Sequence, residues 1–245
     1  MQAIAVLLFA GLSLCIYGLP SGRIVGGHDA SEGKYPYLAV IKVLDQHYCA
    51  GSIVNKRFIL TTAQCIPNVP KDKVKITVGV TDLENRGEDY YVESYIAHPK
   101  FDFGKRKNDV ALIKVDKDIK FSEKVQPIEL LSKEHTEKTY LVILTGWGTK
   151  SEDGDYPNKL QVIQLNTITN EACSHPHPDV TGSQICTLTR RDEGACYGDS
   201  GDPLVDQQGK QVGIMSFGAP CALGIPDVYT RISYFYKFIT ENSKL

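Results

Sequence analysis

Short β-rich runs recur along this chain, each fenced by turn-forming residues. They are predicted over Leu38–Val43, Val74–Val80, Asp109–Val115, Tyr140–Leu144, Leu160–Ile168 and Gln211–Phe217. All are dense in Val, Ile, Thr or Tyr and bounded by Gly, Pro, Asn or Asp. No helical periodicity of comparable strength appears before the C-terminus. There Ile232, Phe235, Tyr236 and Ile239 fall at i, i+3, i+4 and i+7, which predicts one amphipathic helix packed on the body. Many short strands and one late helix point to an all-β fold, a barrel or a sandwich. The 245 residues suffice for one large β domain or two smaller units. No exact internal repeat or low-complexity linker divides them.

The first 18 residues, MQAIAVLLFAGLSLCIYG, are apolar and carry no charged side chain. They read as a secretory signal peptide, because the apolar run is short for a membrane span and no basic stop signal follows. The cysteines agree with export. Of seven, Cys15 lies in the leader, which leaves Cys49, Cys65, Cys173, Cys186, Cys196 and Cys221. An even number in an exported chain predicts three disulfides, though spacing alone leaves the pairing open. A formal net charge of −2 favours neither nucleic acid nor an anionic membrane as partner. The 42% hydrophobic and 23% charged contents are those of a folded globular protein.

Four stretches carry more. In order they are Arg23-Ile24-Val25-Gly26-Gly27, Leu60-Thr61-Thr62-Ala63-Gln64-Cys65, Asn108-Asp109-Val110-Ala111-Leu112-Ile113 and Gly198-Asp199-Ser200-Gly201-Asp202-Pro203-Leu204. Each alone is modest, but together with the cysteines they are specific. From about Arg23 onward the chain resembles the chymotrypsin-like serine proteases, insect and other arthropod chymotrypsin-type sequences in particular. The resemblance implies two six-stranded antiparallel β-barrels, a C-terminal α-helix and a cleft between the barrels. It divides the chain into a signal peptide (1–18), a short activation segment (19–23) and a protease-like domain (24–245). It also implies the pairings Cys49–Cys65, Cys173–Cys186 and Cys196–Cys221, each worth about 3 kcal/mol in the chain-entropy account.

By the same resemblance, Ser200 aligns with the family nucleophile, and the N–H groups of Gly198 and Ser200 with the donors that stabilise a developing oxyanion. Asp109 aligns with the carboxylate that orients the base. Ser216 aligns with the serine that supports that carboxylate, beside the specificity pocket. Cleavage after Arg23 would free the α-amino group of Ile24 to pair with buried Asp199. Such a pair forms only once both charges exist, because either one buried alone is costly.

The position that departs is Gln64, where the family carries histidine immediately before the cysteine. A general base must accept a proton near neutral pH and return it to the leaving amine. A carboxamide has no such pKa, although it can fill the space and donate a hydrogen bond to Asp109. Loss of the base from a triad of this kind costs on the order of a million-fold in turnover, roughly 8 kcal/mol of barrier. Among the other histidines, His47 is the one placed by the resemblance near the Cys49 bridge and the cleft. His175 and His177 read as a loop rather than a metal site, and no cofactor is expected.

The pocket departs as well. Gly194 stands where trypsin-like relatives carry a floor aspartate, and Gly218 keeps the entrance open. Asp227 replaces a wall glycine, so it either offers a charge to a basic side chain or fills the pocket. Asp202 replaces the second glycine of Gly-Asp-Ser-Gly-Gly; Asp tolerates unusual backbone angles better than most residues, but a strained site there would still cost stability and disturb the geometry around Ser200.

The leading expectation is therefore a secreted, monomeric and proteolytically inactive homologue. It would bind protease substrates, inhibitors or cascade proteins, as in melanisation or clotting, or act in gut, saliva or venom. An active secreted endopeptidase and an inert secreted scaffold are the alternatives.

Overall fold

The computed structural model describes residues 24–149, 151–188, 190–191, 193–219 and 221–244. The expected signal peptide and activation segment, with Arg23, lie outside the described residues. Fourteen strands are present among them. These are β1 (His28–Asp29), β2 (Leu38–Val43), β3 (Gln46–Ile53), β4 (Phe58–Thr61), β5 (Val74–Val78), β6 (Glu88–Ala97), β7 (Ala111–Val115), β8 (Glu129–Leu130), β9 (Leu141–Gly146), β10 (Gln161–Ile168), β11 (Gln184–Thr187), β12 (Pro203–Asp206), β13 (Lys210–Phe217) and β14 (Asp227–Arg231). A short helix, α1 (Asn170–Ser174), and a terminal helix, α2 (Ile232–Ser243), complete the order.

The first barrel closes in the order β2-β3-β4-β7-β6-β5. The second runs β9-β10-β11-β14-β13-β12 and closes through β12–β9, with β1 and β8 added at its margins. Closure removes the free edges that would otherwise invite pairing with other chains. Alternation fills each interior. Ile41, Ile59, Ile76, Val78 and Ile113 pack the first barrel, while Leu144, Leu165, Leu204, Met215 and Tyr229 pack the second. Both are two-residue-period faces turned inward.

A third apolar cluster joins the barrels. It combines Leu60 and Leu112 of the first with Val205 and Ile214 of the second, and adds Ile232, Phe235 and Ile239 from α2. These three were the apolar stripe expected of the terminal helix; Tyr236 packs at the margin of the same cluster. Helix α1 was not anticipated. It is a single turn capped by Thr169, whose Oγ accepts the Ala172 N–H at 3.2 Å, too short to leave a periodic signal.

The three disulfides are Cys49–Cys65, Cys173–Cys186 and Cys196–Cys221. The first ties β3 to the turn that carries Gln64. The last brackets the segment that carries Gly198, Asp199 and Ser200.

Candidate active-site cleft

Gln64 sits in a tight turn, Ala63–Cys65, directly after β4. Asp109 precedes β7, at the end of a loop that takes left-handed turns at Arg106 (φ 50°) and Asn108 (φ 54°). Asparagine is among the residues that tolerate this region best, and Asn108 braces the loop by donating to the Lys100 carbonyl at 2.8 Å. Ser200 comes from the turn before β12, and Ser216 from β13. The Ala50 N–H donates to the Ser200 carbonyl at 3.0 Å, which pins the Ser200 turn of one barrel to β3 of the other. At Gly201 (φ +87°) an added β-carbon would stand 2.1 Å from the Ala50 carbonyl oxygen, so only glycine lets the barrels approach here.

The structure brings Gln64, Asp109 and Ser216 into one hydrogen-bonded group. The Gln64 backbone N–H donates to Asp109 Oδ1 at 2.9 Å, and the Gln64 side-chain Nε2 donates to Asp109 Oδ2 at 2.9 Å. Nε2 also donates to the Ser216 carbonyl at 2.5 Å. Ser216 Oγ donates to Asp109 Oδ2 at 2.6 Å, and Thr230 Oγ1 holds the Asp109 main-chain carbonyl at 2.6 Å. Both hydrogens of the amide are thus committed, and neither bond reaches Ser200. Burial pushes the Asp109 carboxyl above its ordinary range, against the lowering effect of Ser216, the Gln64 N–H and the nearby Arg106 charge.

Gln64 and Ser200 line a cleft of about 260 Å³ together with Gly198, Arg106, Ser216 and Asp227. Among the described residues the N–H groups of Gly198 and Ser200 donate to no acceptor of the chain. His47 belongs to a different network. Its Nε2 lies 3.1 Å from the Gly198 carbonyl, so it must donate there, while Nδ1 is buried without a partner. Burial holds the imidazole below its usual pKa and hence neutral. The ring packs beside Trp147 and Tyr156. His47 supports the Gly198 turn and is not one of the residues lining the cleft. His177 is also occupied, with Nε2 at 2.8 Å from the Pro226 carbonyl.

At the pocket floor, Asp227 lies between Gly194 and Gly218. A β-carbon at Gly194 would stand 2.7 Å from Asp227 Oδ2, and one at Gly218 would stand 2.4 Å from Oδ1. The absence of side chains at these two positions makes room for the carboxylate, and the cleft still reaches it. Asp227 Oδ2 accepts the Ala195 N–H at 2.8 Å, whereas buried Oδ1 meets no donor among the described residues. Burial pushes this carboxyl up to about 7.

Ile24 and Asp199 are both fully buried, and Val25 bridges to Gly194, its carbonyl accepting the Gly194 N–H at 3.1 Å. Asp199 accepts the N–H groups of Gly148 (2.7 Å) and Cys196 (2.8 Å). Asp202 corrects one expectation. It does not adopt a positive φ; the left-handed residue here is Gly201. The burden at Asp202 is electrostatic instead. It is fully buried, and neither of its oxygens meets a donor among the described residues. It crowds Asp199 over Gly146, where a β-carbon would stand 2.0 Å from Asp202 Oδ2 and 2.4 Å from Asp199 Oδ1. Burial first, and then the Asp199 charge, drive the Asp202 carboxyl far above its ordinary range. Held protonated, Asp202 donates to the neighbouring Asp199 carboxyl.

Arg106 of the cleft and Tyr156 beside Gly198 carried no signal in the motifs. Arg106 stacks on Phe103, with its guanidinium carbon 3.9 Å from the ring centre, and its buried Nη1 meets no acceptor among the described residues. Tyr156 lies against Gly198 while remaining largely exposed. Their positions follow from loop paths, which no local spacing encodes.

Two closed barrels, with Gln64 from one and Ser200 from the other lining a shared cleft, define the class: the chymotrypsin fold. The comparisons agree. The Trypsin family model matches residues 24–239. Chymotrypsin-2 of Vespa crabro is 42% identical over 219 residues, covering 89% of this chain and 99% of its own. Hypodermin-B of Hypoderma lineatum is 32% identical, with 94% of each chain covered. The solved structure of neuropsin, a serine protease expressed in mouse brain, superposes with a TM-score of 0.83 at 26% identity, covering 89% of this chain and 98% of that one. The chain belongs to the trypsin family of chymotrypsin-like serine protease domains.

Proposed function

We propose that this domain is a secreted, non-catalytic member of the family that binds peptide or protein ligands in a cleft unable to hydrolyse them. One observation carries the reading: the Gln64 amide donates both hydrogens, to Asp109 and to Ser216, and offers Ser200 no group that can take its proton. His47 does not supply the missing base, because the nitrogen left to accept a proton, Nδ1, is buried and the ring lies outside the cleft lining.

Other features favour retained binding over a merely inert scaffold. The Gly198 and Ser200 N–H groups are free, the pocket remains open to Asp227, and exposed Tyr156 and Tyr197 flank the cleft. Exposed aromatics of this kind are enriched where proteins meet partners. Protease substrates, protease inhibitors and cascade proteins are the ligand classes this surface suits. The disulfides fit an extracellular setting. In this reading Ile24, freed by cleavage after Arg23, meets Asp199 as in the family, with Asp202 as an additional carboxyl beside the pair.

A fluorophosphonate probe tests the reading, because its reaction needs an activated serine. Ser200 is expected to label several orders of magnitude more slowly than in an active relative. Rapid stoichiometric labelling, lost in Ser200→Ala, would instead support an active endopeptidase.

A further inference from the structure

Two fully buried carboxyls, Asp199 and Asp202, share one space beside the end of β9. Gly146 and Gly148 make that space: an added β-carbon at Gly146 would overlap both carboxyls, and one at Gly148 would overlap Asp199. The Asp202 backbone is fixed, its N–H donating to the Asp199 carbonyl at 3.1 Å and its carbonyl accepting the Met215 N–H at 2.8 Å. The Asp199 oxygens take the Gly148 and Cys196 N–H groups, whereas neither Asp202 oxygen meets a donor among the described residues. The other titratable groups bearing on the pair are Asp227, Tyr37 and Tyr229, and none is a cation. Two adjacent buried carboxylates would be costly, so the pair holds a proton, which Asp202 donates to Asp199.

The chain runs unbroken from Arg23 into Ile24, so the Ile24 nitrogen is a neutral amide and brings no positive charge to Asp199. Asp199 is buried all the same, Ile24 lies in the core of the second barrel, and the Val25 carbonyl accepts the Gly194 N–H. We propose that the Asp202 carboxylic acid stands in for the ammonium: it donates to Asp199 and holds the Cys196–Ser200 turn in its ordered form before any cleavage after Arg23. Such a domain needs no proteolytic activation to present its cleft. The inference concerns how the turn is held, and it stands whether or not Gln64 abolishes catalysis. A glycine at position 202 would offer Asp199 no donor, and an ionised aspartate there would repel it. Once cleavage frees the Ile24 ammonium, that group neutralises Asp199 and Asp202 becomes dispensable.

The test is residue-resolved amide hydrogen exchange at pH 6, on the uncleavable variant Arg23→Gln and on the protein cleaved after Arg23. The amides to follow are those of Gly148 and Cys196, which donate to Asp199, with β6 as the reference. Their protection is expected to agree within about threefold between the two forms. Adding Asp202→Gly to Arg23→Gln should lower it by roughly tenfold or more, as the loss of a charge-assisted hydrogen bond, and leave β6 unchanged. Asp202→Asn keeps a donor and should preserve the protection, and Asp202→Gly in the cleaved protein should change it little. The proposal is overturned if cleavage of the wild-type protein raises protection about tenfold over Arg23→Gln. It is equally overturned if Asp202→Gly leaves the uncleaved protein unaffected or loosens β6 to the same degree, or if Asp202→Asn behaves as Asp202→Gly does.

Discussion

Gln64 keeps what a structural partner of Asp109 needs and lacks what a base needs. Its main-chain and side-chain N–H groups cover both Asp109 oxygens, so the buried carboxylate is not left unpaired. This predicts that Gln64→Ala is worse for folding than Gln64→His. The alanine variant should lose on the order of 1–3 kcal/mol, the usual worth of a hydrogen bond to a charged group, because Asp109 Oδ2 then keeps only Ser216 Oγ; denaturant unfolding measures it. Asp202 is the second residue whose replacement is informative. It faces Asp199 with no donor of its own. Asp202→Asn gives Asp199 a donor and removes the second ionisable group. The melting temperature should therefore rise at pH 8, with a much smaller change at pH 5. An equal shift at both values would mean that the effect is packing rather than charge.

Among the elements, α2 holds a position that its length understates. Phe235 packs in the cluster that contains strand residues of both barrels, and its neighbours Ile232 and Ile239 are fully buried. Phe235→Ala is expected to destabilise the domain by about 3–5 kcal/mol. It should also loosen the barrel seam on which Gln64 and Ser200 sit, seen as faster amide exchange in β4 and β12 than in β6. Exchange rising uniformly would count against a specific role at the seam. This helix was legible in the sequence because its stripe spans several turns, and the longer strands were legible because they run between strong turn signals. Strand ends were less so. Val110 continues the apolar pattern of β7, yet the Asn108 turn leaves Asp109 and Val110 outside the strand. The candidate site divides the same way. Gln64, Asp109 and Ser200 were readable because motifs fix them locally, and Ser216 through the family resemblance alone. Arg106, Tyr156 and the Asp199–Asp202 contact were not, because they depend on how loops from distant parts of the chain close over the cleft.

The molecule as a whole carries several carboxyls whose folded-state pKa lies above the unfolded value. Asp227 is raised to about 7, and Asp109, Asp199 and Asp202 are also raised, all chiefly by burial. In the range between the ordinary carboxylate pKa and these raised values, the folded state binds more protons than the unfolded state. Stability is then fully present at low pH and falls as pH rises through that window. His47 and His98, both held below the usual histidine value by burial, act in the opposite sense, but only as pH drops below about 6.5. The carboxyls outnumber them. For the chain uncleaved at Arg23, the melting temperature is therefore expected to fall between pH 5 and pH 7.5. A rise over that interval would show that the buried carboxyls are matched by cations. Cleavage that delivers an ammonium to Asp199 should flatten the dependence.

The central claim concerns proton transfer, and peptidase assays of two proteins cleaved after Arg23 test it most directly. The wild-type protein should show no turnover of a peptide-amide panel above the Ser200→Ala background, whereas Gln64→His should gain measurable turnover that disappears when Ser200 is also replaced. Wild-type hydrolysis at the rate of an active family member, abolished by Ser200→Ala, would contradict the account.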